Sequence, residues 1–409
     1  MMRRRAVTLS GLVVLLGLRA GQAAPPPALE VAPIESPAPT GSRWPELALD
    51  PEGGALLSWL QVDAEKTASL HVARHHQGGW QPTRLVATGS GWFVNWADFP
   101  TLAASTEGRV IATWLEKLGK GTYAYGVQHA IAPSEGAFTA RGLLHSDRSE
   151  TEHGFVSLAP LAEGRVHANW LDGRQGADGK GGAMALYSAE LGPDGQRGPE
   201  SLLDNRVCDC CQTSSVVLDD GSVLVAYRDR GAREQRDIAV VRGRRGETGA
   251  WSWSKPRLVH ADGWTIAGCP VNGPALAVHG KQVAVAWFTA GTDGKPRALV
   301  ALSRDRGERF SAPRRLDDGR PSGRLDLVFA DPKTLVVTWL ELGEETASWR
   351  ARTIVTKGRR LGPSLTLATA GGQRGDGFLR TVALKEGVLA AWTDATTGRV
   401  ETALVKVRR

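Results

Sequence analysis

The sequence predicts an all-β fold, a β-propeller of seven four-stranded blades, from three observations. The first is a segment that recurs every 52 to 60 residues and ends in an aromatic residue. These aromatics are Trp59, Trp114, Trp170, Tyr227, Trp287, Trp339 and Trp392. The second is that apolar and polar positions alternate within each segment, which indicates β-strands. The third is that another strand pair follows each aromatic, so each unit has room for four strands.

A period of this length is typical of repeat folds, in which one unit cannot bury its apolar face without its neighbours. Seven copies predict seven blades in one domain, residues 45–409, although a six-bladed ring with one degenerate copy stays open. The last copy has no room for an outermost strand. We expect "ALEVAPI", in a Pro-rich leader of residues 24–44, to supply that strand, which closes the ring and removes two exposed sheet edges.

The first 23 residues have the layout of a secretory signal peptide. Three arginines precede an apolar run from Ala6 to Leu18, and small residues follow at the cleavage positions. The run is shorter than the roughly 20 apolar residues that a membrane-spanning helix needs. The sequence therefore predicts a periplasmic or secreted monomer with no stable membrane insertion after cleavage.

The charge pattern argues against a nucleic-acid-binding protein. The formal net charge is +7, but residues 1–24 hold four arginines and no acidic residue, so the remainder carries +3. This mild excess is spread along the chain, whereas a nucleic-acid-binding domain shows a basic stripe.

Three of the four cysteines lie within "VCDCCQTSS", and the fourth lies within "IAGCPVNGP". Aligning the two segments puts Cys211 and Cys269 at the same place in adjacent blades, so all four thiols, with Cys208 and Cys210, should gather. In an oxidising compartment, an even count favours disulfides. The alternative is a thiolate site for Cu(I) or Zn(II), with His145 or His153 as a further ligand. No other cofactor is predicted.

The loops that enter the innermost strands concentrate polar and charged residues. In a propeller these loops share one face with the loops after the second strands, so their side chains should converge around the channel mouth. Such a face suits an anionic or polyhydroxylated ligand. The predicted ligand-binding residues are Arg174, Arg228, Arg230, Arg324, Arg380, Asn95 and Asn272.

The candidate catalytic residues come from the same face. Tyr227 stands where the other six copies have tryptophan, which makes it a candidate nucleophile or hydrogen-bond donor; alternatively it is a core aromatic. Asp98 and Asp229 are candidate acids, and Glu150 or Glu234 is a candidate base.

One segment, "SRDRGERF" from Ser303 to Phe310, fits the Asp-box pattern S-x-D-x-G-x-x-[WF]. Together with "NWADFP", "TEHGFVSL", "CDCCQTSS", "YRDRG" and "GCPVNGPA", it makes the chain resemble the bacterial BNR/Asp-box, exo-α-sialidase-like β-propellers over nearly its whole length. The resemblance implies a propeller fold and export. The sequence lacks the Phe/Tyr-Arg-Ile-Pro motif that supplies the first substrate-gripping arginine of most sialidases.

The resemblance and the polar face together predict recognition of a glycan or other polar ligand on the channel face. If the protein is an enzyme, the expected activity is that of a glycoside hydrolase of the exo-α-sialidase-like kind. Two alternatives remain from other classes: a noncatalytic binding scaffold in the envelope, and a metal or redox protein that uses the cysteine cluster.

Overall fold

A computed structural model describes residues 25–177 and 182–408 and shows seven antiparallel sheets that form the blades of a ring. The predicted seven-bladed propeller is therefore confirmed. The predicted signal peptide, residues 1–23, lies outside the described residues. Among the residues that are described, no helix has the length and apolar character needed to cross a membrane.

The strands follow the chain in blade order, except that the first strand, β1 (Ala28–Ile34), belongs to the last blade. Blade 1 holds β2 (Arg43–Leu49), β3 (Ala55–Val62), β4 (Ala68–His76), β5 (Gly79–Trp80) and β6 (Arg84–Gly89). Blade 2 holds β7 (Leu102–Ala104), β8 (Val110–Lys117), β9 (Tyr125–Ala132) and β10 (Thr139–Leu143). Blade 3 holds β11 (His153–Pro160), β12 (Val166–Asp172), β13 (Met184–Leu191) and β14 (Arg197–Val207).

The remaining four blades repeat the plan. Blade 4 holds β15 (Ser214–Val217), β16 (Val223–Arg228), β17 (Ile238–Arg245), β18 (Trp251–Trp253) and β19 (Arg257–Leu258). Blade 5 holds β20 (Ala275–His279), β21 (Gln282–Thr289), β22 (Arg297–Ser303) and β23 (Arg314–Arg315). Blade 6 holds β24 (Pro321–Asp331), β25 (Thr334–Leu342), β26 (Ala347–Val355), β27 (Arg360–Leu361) and β28 (Leu365–Ala370). Blade 7 holds β29 (Arg380–Leu384), β30 (Gly387–Asp394) and β31 (Arg399–Arg408).

Blades 1, 4 and 6 have five strands because the outermost position is split into two short strands that pair with the same third strand. Each blade thus keeps four strand positions. Blade 7 obtains its outermost strand from the N-terminus: β1 pairs antiparallel with β31, from Ala28 opposite Arg408 to Ile34 opposite Thr402. The expected closure of the ring by "ALEVAPI" is confirmed.

Seven apolar clusters form the core, one between each pair of neighbouring blades. The cluster that joins blade 7 to blade 1 packs Leu389 and Ala391 against Leu57 and Trp59, so the ring is closed by packing as well as by strand pairing. The seven repeat aromatics lie on the second strands and are all buried. Because each sheet buries both faces against its neighbours, no blade has a complete core of its own.

The innermost strands β2, β7, β11, β15, β20, β24 and β29 surround a central channel. Its cavity has a volume of about 590 Å³ and is lined by side chains from all seven of these strands or the loops that enter them. The entry loops contribute Ala97, Asp98 and Gln212 to one end of this lining.

The segment that fits the Asp-box pattern forms the turn between β22 and β23. Ser303 Oγ accepts a hydrogen bond from the Gly307 amide at 2.8 Å, and Asp305 Oδ1 accepts one from the Arg309 amide at 2.9 Å. Gly307 has φ +77°, a conformation that favours glycine. Phe310 packs against the apolar cluster between blades 4 and 5. These residues hold a turn, and none of them lines the channel cavity.

Candidate functional site

The candidate site lies on the face formed by the loops that precede β7, β11, β15 and β20, here called the entry-loop face (residues 90–101, 144–152, 208–213 and 259–274). Side chains tie these loops together across blades. Gln212 Nε2 donates to the Ala97 carbonyl at 2.5 Å, and Gln212 Oε1 accepts from the Gly273 amide at 3.3 Å. One glutamine therefore positions the loops of blades 2, 4 and 5 relative to one another.

Asp98, Tyr125 and Glu152 meet on this face. The Tyr125 hydroxyl lies 2.8 Å from Asp98 Oδ2 and 2.7 Å from Glu152 Oε1. Asp98 Oδ1 accepts a hydrogen bond from the Phe155 amide at 2.8 Å. Gly154 makes this approach feasible, because a Cβ at that position would lie 1.7 Å from Asp98 Oδ2.

This arrangement requires a shared proton. A tyrosine hydroxyl carries one hydrogen, so it can donate to only one of the two carboxylates. The second contact is a hydrogen bond only if the other carboxyl is protonated and donates to the tyrosine oxygen. Burial raises the pKa of Asp98 to about 8 and that of Glu152 to about 7, so a proton is retained near neutral pH.

The three groups differ in access. Tyr125 is fully buried and stacks on Phe93 with ring centroids 4.0 Å apart, and Asp98 is 3% exposed. Burial also raises the pKa of Tyr125 well above its ordinary value. Glu152 is only partly buried, so it is the most exposed residue of the three. Tyr125 and Asp98 hold its carboxyl in place.

The sequence prediction included Asp98 but omitted Tyr125 and Glu152. Tyr125 is the first residue of β9, a position that the repeat does not mark. The predicted base, Glu150, is exposed and lies two residues before Glu152. The only signal in the sequence was that the loop "SETEHG" offers two acidic residues before a predicted strand. Because they are two positions apart, an extended segment would point both to the same side, so the sequence does not choose between them.

The four cysteines lie beside this group. The sulfur atoms of Cys208, Cys210 and Cys211 are all within 4.8 Å of one another, and the Cys208 and Cys211 sulfurs are 3.4 Å apart. The thiol of exposed Cys269 interacts with that of Cys210. All four are free thiols in this structure. Blades 4 and 5 thus bring together residues that are about sixty positions apart in the sequence.

Two buried arginines border the sulfur atoms. Arg236 is 2% exposed, and its Nη1 lies 3.0 Å from Cys208 Sγ. Hydrogen bonding from the neighbouring thiols, together with the charges of Arg228 and Arg236, lowers the pKa of Cys208. Arg236 also forms a 2.7 Å ion pair with Glu234. These contacts favour a thiolate at Cys208.

The five predicted ligand-binding arginines are bonded to protein groups. Arg174 makes a bidentate ion pair with Asp172 and a further pair with Glu200. Arg230 pairs with Asp209 and Glu234.

The other three arginines are held mainly by backbone or by the channel wall. Arg228 donates to the carbonyls of Asn272, Phe288 and Arg236. Arg324 donates to the carbonyls of Gln373 and Gly377 and lies 4.8 Å from the Trp96 ring centroid. Arg380 pairs with Glu46 at 3.1 Å inside the channel. The structure therefore does not gather these guanidinium groups around one open point.

The two predicted asparagines form hydrogen bonds to backbone groups. Asn95 Oδ1 accepts from the Ala97 amide at 2.8 Å. Asn272 Oδ1 accepts from the Arg324 amide at 2.7 Å, and its Nδ2 donates to the carbonyls of Pro270 and Ser322. Asn272 is buried, so these bonds use its amide group to join the loops of blades 5 and 6.

Tyr227 is a core aromatic, 1% exposed, within the cluster between blades 3 and 4. Its hydroxyl donates to Asp204 Oδ2 at 2.6 Å. Three of the equivalent tryptophans also donate their indole N–H to a carboxylate: Trp170 to Asp172, Trp287 to Asp262 and Trp339 to Glu341. Tyr227 therefore follows the structural pattern of its repeat position and does not line the channel.

The remaining predicted residues lie in separate networks. Asp229 Oδ1 accepts from the Arg230 amide at 2.7 Å, and burial raises its pKa to about 6. His145 and His153 stack with ring centroids 4.0 Å apart. Their ring nitrogens bond mainly to backbone groups and to Asp147, and the compact sulfur group contains neither of them.

Comparison with solved structures supports the propeller fold. No protein-family model matches the sequence, and no curated protein sequence matches it. An ulvan lyase of the polysaccharide lyase family PL25, solved bound to -[GlcA(1-4)Rha3S]-, superposes with a TM-score of 0.59 at 12% identity, covering 92% of this chain and 96% of that chain. A protein of unknown function from Dyadobacter fermentans superposes with a TM-score of 0.53 at 16% identity, covering 93% and 98%.

A Hadza microbial sialidase superposes with a TM-score of 0.48 at 12% identity, covering 90% of this chain and 66% of that chain. Sialidases and polysaccharide lyases are thus among the structures that this chain is similar to. At these identities the likeness shows the propeller fold alone.

Proposed function

We propose that the protein binds a glycan on the entry-loop face and cleaves it, with Glu152 as the acid–base group. The observation that carries the proposal is the contact of Glu152 with Tyr125, which also contacts Asp98. A general acid or base works best when its pKa is near the operating pH. Burial raises the pKa of Glu152 to about 7 while leaving the residue partly exposed, which suits that role.

The ligand class is supported by the chemistry of the face and by one related fold. Partly exposed carboxylates and amide groups on the entry loops suit a polyhydroxylated molecule. The ulvan lyase of the same fold is bound to an oligosaccharide. Sialic acid is a weaker candidate, because the predicted arginines are engaged by protein groups and leave no open three-arginine grip for a carboxylate.

The setting of this activity is part of the same proposal. The layout of residues 1–23 favours export to the periplasm or beyond, where polysaccharides are accessible. Detection of the mature N-terminus in a periplasmic fraction would support it, and recovery of the intact chain from the cytoplasm would contradict it.

The test is a panel of sialosides, neutral polysaccharides and uronic-acid polysaccharides incubated with the purified protein. Reducing ends report hydrolysis, and ultraviolet absorbance of an unsaturated sugar reports elimination. We expect Glu152→Gln to lower kcat by about 100-fold or more with an unchanged fold, because it removes the transferable proton. Glu150→Gln is the matched control, since Glu150 is exposed on the same loop.

Two outcomes would overturn the catalytic role. Equal losses for the Glu150 and Glu152 variants would show that the effect is not specific to the Tyr125-bonded carboxyl. Binding of a glycan without turnover by the wild type would favour the noncatalytic scaffold instead.

A further inference from the structure

The three clustered cysteines have the spacing of a metal–thiolate site. A metal ion bound to sulfur at about 2.3 Å in a trigonal arrangement separates the sulfurs by about 4 Å. The sulfur atoms of Cys208, Cys210 and Cys211 lie within 4.8 Å of one another, with one pair at 3.4 Å. Small side-chain rotations would therefore place all three at bonding distance from one ion.

The surrounding charge provides an independent argument. Arg228 is 2% exposed, and its guanidinium donates to the carbonyl oxygens of Asn272, Arg236 and Phe288. Among the described residues it forms no ion pair with a carboxylate. A buried cation without an anionic partner is costly. Arg236, also 2% exposed, places Nη1 3.0 Å from Cys208 Sγ. Arg236 is already paired with Glu234 at 2.7 Å, so negative charge on the sulfur cluster would chiefly offset Arg228.

We propose that Cys208, Cys210 and Cys211 bind one Cu(I) ion as thiolates. Binding releases the protons of those cysteines that are still thiols and gives a complex of charge −2 beside the guanidinium groups of Arg228 and Arg236. No change of oxidation state is involved. Cys269 lies outside the trio, exposed and beside Cys210, where its sulfur can take up an incoming ion and pass it to the buried cluster.

Copper(I) fits this donor set better than zinc does. Soft thiolate ligands select Cu(I), and a structural zinc site uses four ligands in a tetrahedron. The nearest carboxylate in sequence, Asp209, is bonded to Arg230 at 2.9 Å, and the compact group of metal-ligating atoms among the described residues contains sulfur alone.

The test is an anaerobic titration of the reduced, full-length protein with Cu(I) buffered by a chromophoric chelator. We expect one Cu(I) per chain, a thiolate-to-copper charge-transfer band, and X-ray absorption that shows three sulfurs at about 2.3 Å. Cys211→Ser should lose the site, while Cys269→Ser should keep it and load more slowly. Arg236→Gln should weaken Cu(I) binding about tenfold or more, as loss of a group beside the ligands does.

Several results would overturn the proposal: no Cu(I) uptake by the reduced wild-type protein, tighter binding of Zn(II) than Cu(I) in a parallel competition, or a two-sulfur copper spectrum. Mass analysis of protein purified without reductant provides a further arm. If two disulfides persist under the reducing conditions of the titration and no copper binds, the cysteine cluster has a structural role.

Wild-type spectroscopy keeps the proposal testable even if a cysteine variant misfolds. Glycan turnover measured on the same preparations separates this proposal from the proposed function. Cys211→Ser should abolish copper binding with Glu152-dependent turnover retained, whereas Glu152→Gln should do the reverse.

Discussion

Tyr125 and Glu152 belong to neighbouring blades, yet the tyrosine hydroxyl lies 2.7 Å from the glutamate carboxyl. Tyr125 begins β9 of blade 2, and Glu152 directly precedes β11 of blade 3. The same hydroxyl is 2.8 Å from Asp98, so one buried phenol joins two carboxyl groups that cannot both be ionised and hydrogen-bonded to it.

Asp98→Asn should flatten the dependence of stability on pH. Burial raises the folded-state pKa of Asp98 to about 8 from an ordinary value of 3.8, so the folded protein retains a proton that the unfolded chain releases. This contribution to stability is fully present below pH 4 and is lost as pH rises toward 8, with a slope of up to about 1.4 kcal/mol per pH unit. An asparagine mimics the protonated acid, since its amide can donate to the Tyr125 oxygen.

Urea unfolding from pH 4 to pH 8 measures this effect as the difference between the wild-type and variant curves. Glu46, whose pKa burial also raises to about 7, contributes to both curves and cancels in the difference. Glu152 shares the Tyr125 hydroxyl with Asp98, so its titration is part of the difference that is measured. Glu65→Gln, which removes an exposed carboxyl, is the control for net charge. A constant gap between wild type and Asp98→Asn across this range would show that Asp98 is ionised throughout.

Tyr227→Phe should lower stability and leave ligand turnover unchanged. The hydroxyl bonds Asp204 at 2.6 Å inside the interface between blades 3 and 4. Loss of a hydrogen bond to a charged group costs about 1.5–3 kcal/mol. Tyr123→Phe is the control, because Tyr123 is 59% exposed. Chemical denaturation measures the difference, and loss of turnover without loss of stability would return Tyr227 to the candidate catalytic residues.

The blades could be predicted from the sequence because each repeat carries its own signal. Alternation of apolar residues and the closing aromatic depend on local strand geometry, and the missing outer strand of blade 7 required a partner that "ALEVAPI" could supply. The position of Asp98 on this face and the gathering of the cysteines could be predicted for a similar reason: equivalent positions of adjacent repeats become neighbours in a ring. In the structure Cys269 of blade 5 lies beside Cys210 of blade 4.

The roles of individual polar side chains could not be predicted from the repeat pattern. Arg228 ends β16, and only the packed structure shows that its guanidinium turns inward to carbonyl oxygens of blade 5. Glu150 and Glu152 are two positions apart, so a regular strand would point both to the same side. The chain bends at residues 149–151, and only the packed structure shows that Glu152 is the residue that meets Tyr125. Composition identifies a polar loop, whereas geometry decides which residues remain available to a ligand.

Removal of residues 25–34 should open the ring, and a peptide with the sequence of β1 should close it again. β1 supplies the outermost strand of blade 7, paired along its whole length with β31. Its loss exposes the edge of β31, which favours aggregation, and removes the Leu29 side chain from the cluster between blades 6 and 7. We expect a lower Tm and concentration-dependent aggregation.

A peptide of sequence "ALEVAPI" should raise the Tm of the truncated protein in proportion to the logarithm of its concentration, as a ligand of the folded state does. A peptide with Val31 replaced by proline is the control, because proline interrupts strand pairing. Unchanged stability of the truncated protein would show that β1 adds nothing to the closure of the ring.

Gly323→Ala should be more destabilising than Gly221→Ala, although both glycines have positive φ. Gly221 has φ +76° with no atom near the position of an added Cβ, so its substitution incurs only backbone strain of about 1–2 kcal/mol. Gly323 has φ +90°, and an added Cβ would lie 2.1 Å from Asn272 Oδ1, the acceptor for the Arg324 amide. Gly323→Ala therefore incurs the same backbone strain and also a steric clash. The clash displaces the hydrogen bond from the Arg324 amide to Asn272, which connects blades 5 and 6. Differential scanning fluorimetry and urea unfolding compare the two variants directly; equal losses would mean that Asn272 moves aside freely and that its bond to blade 6 contributes little to holding the entry-loop face.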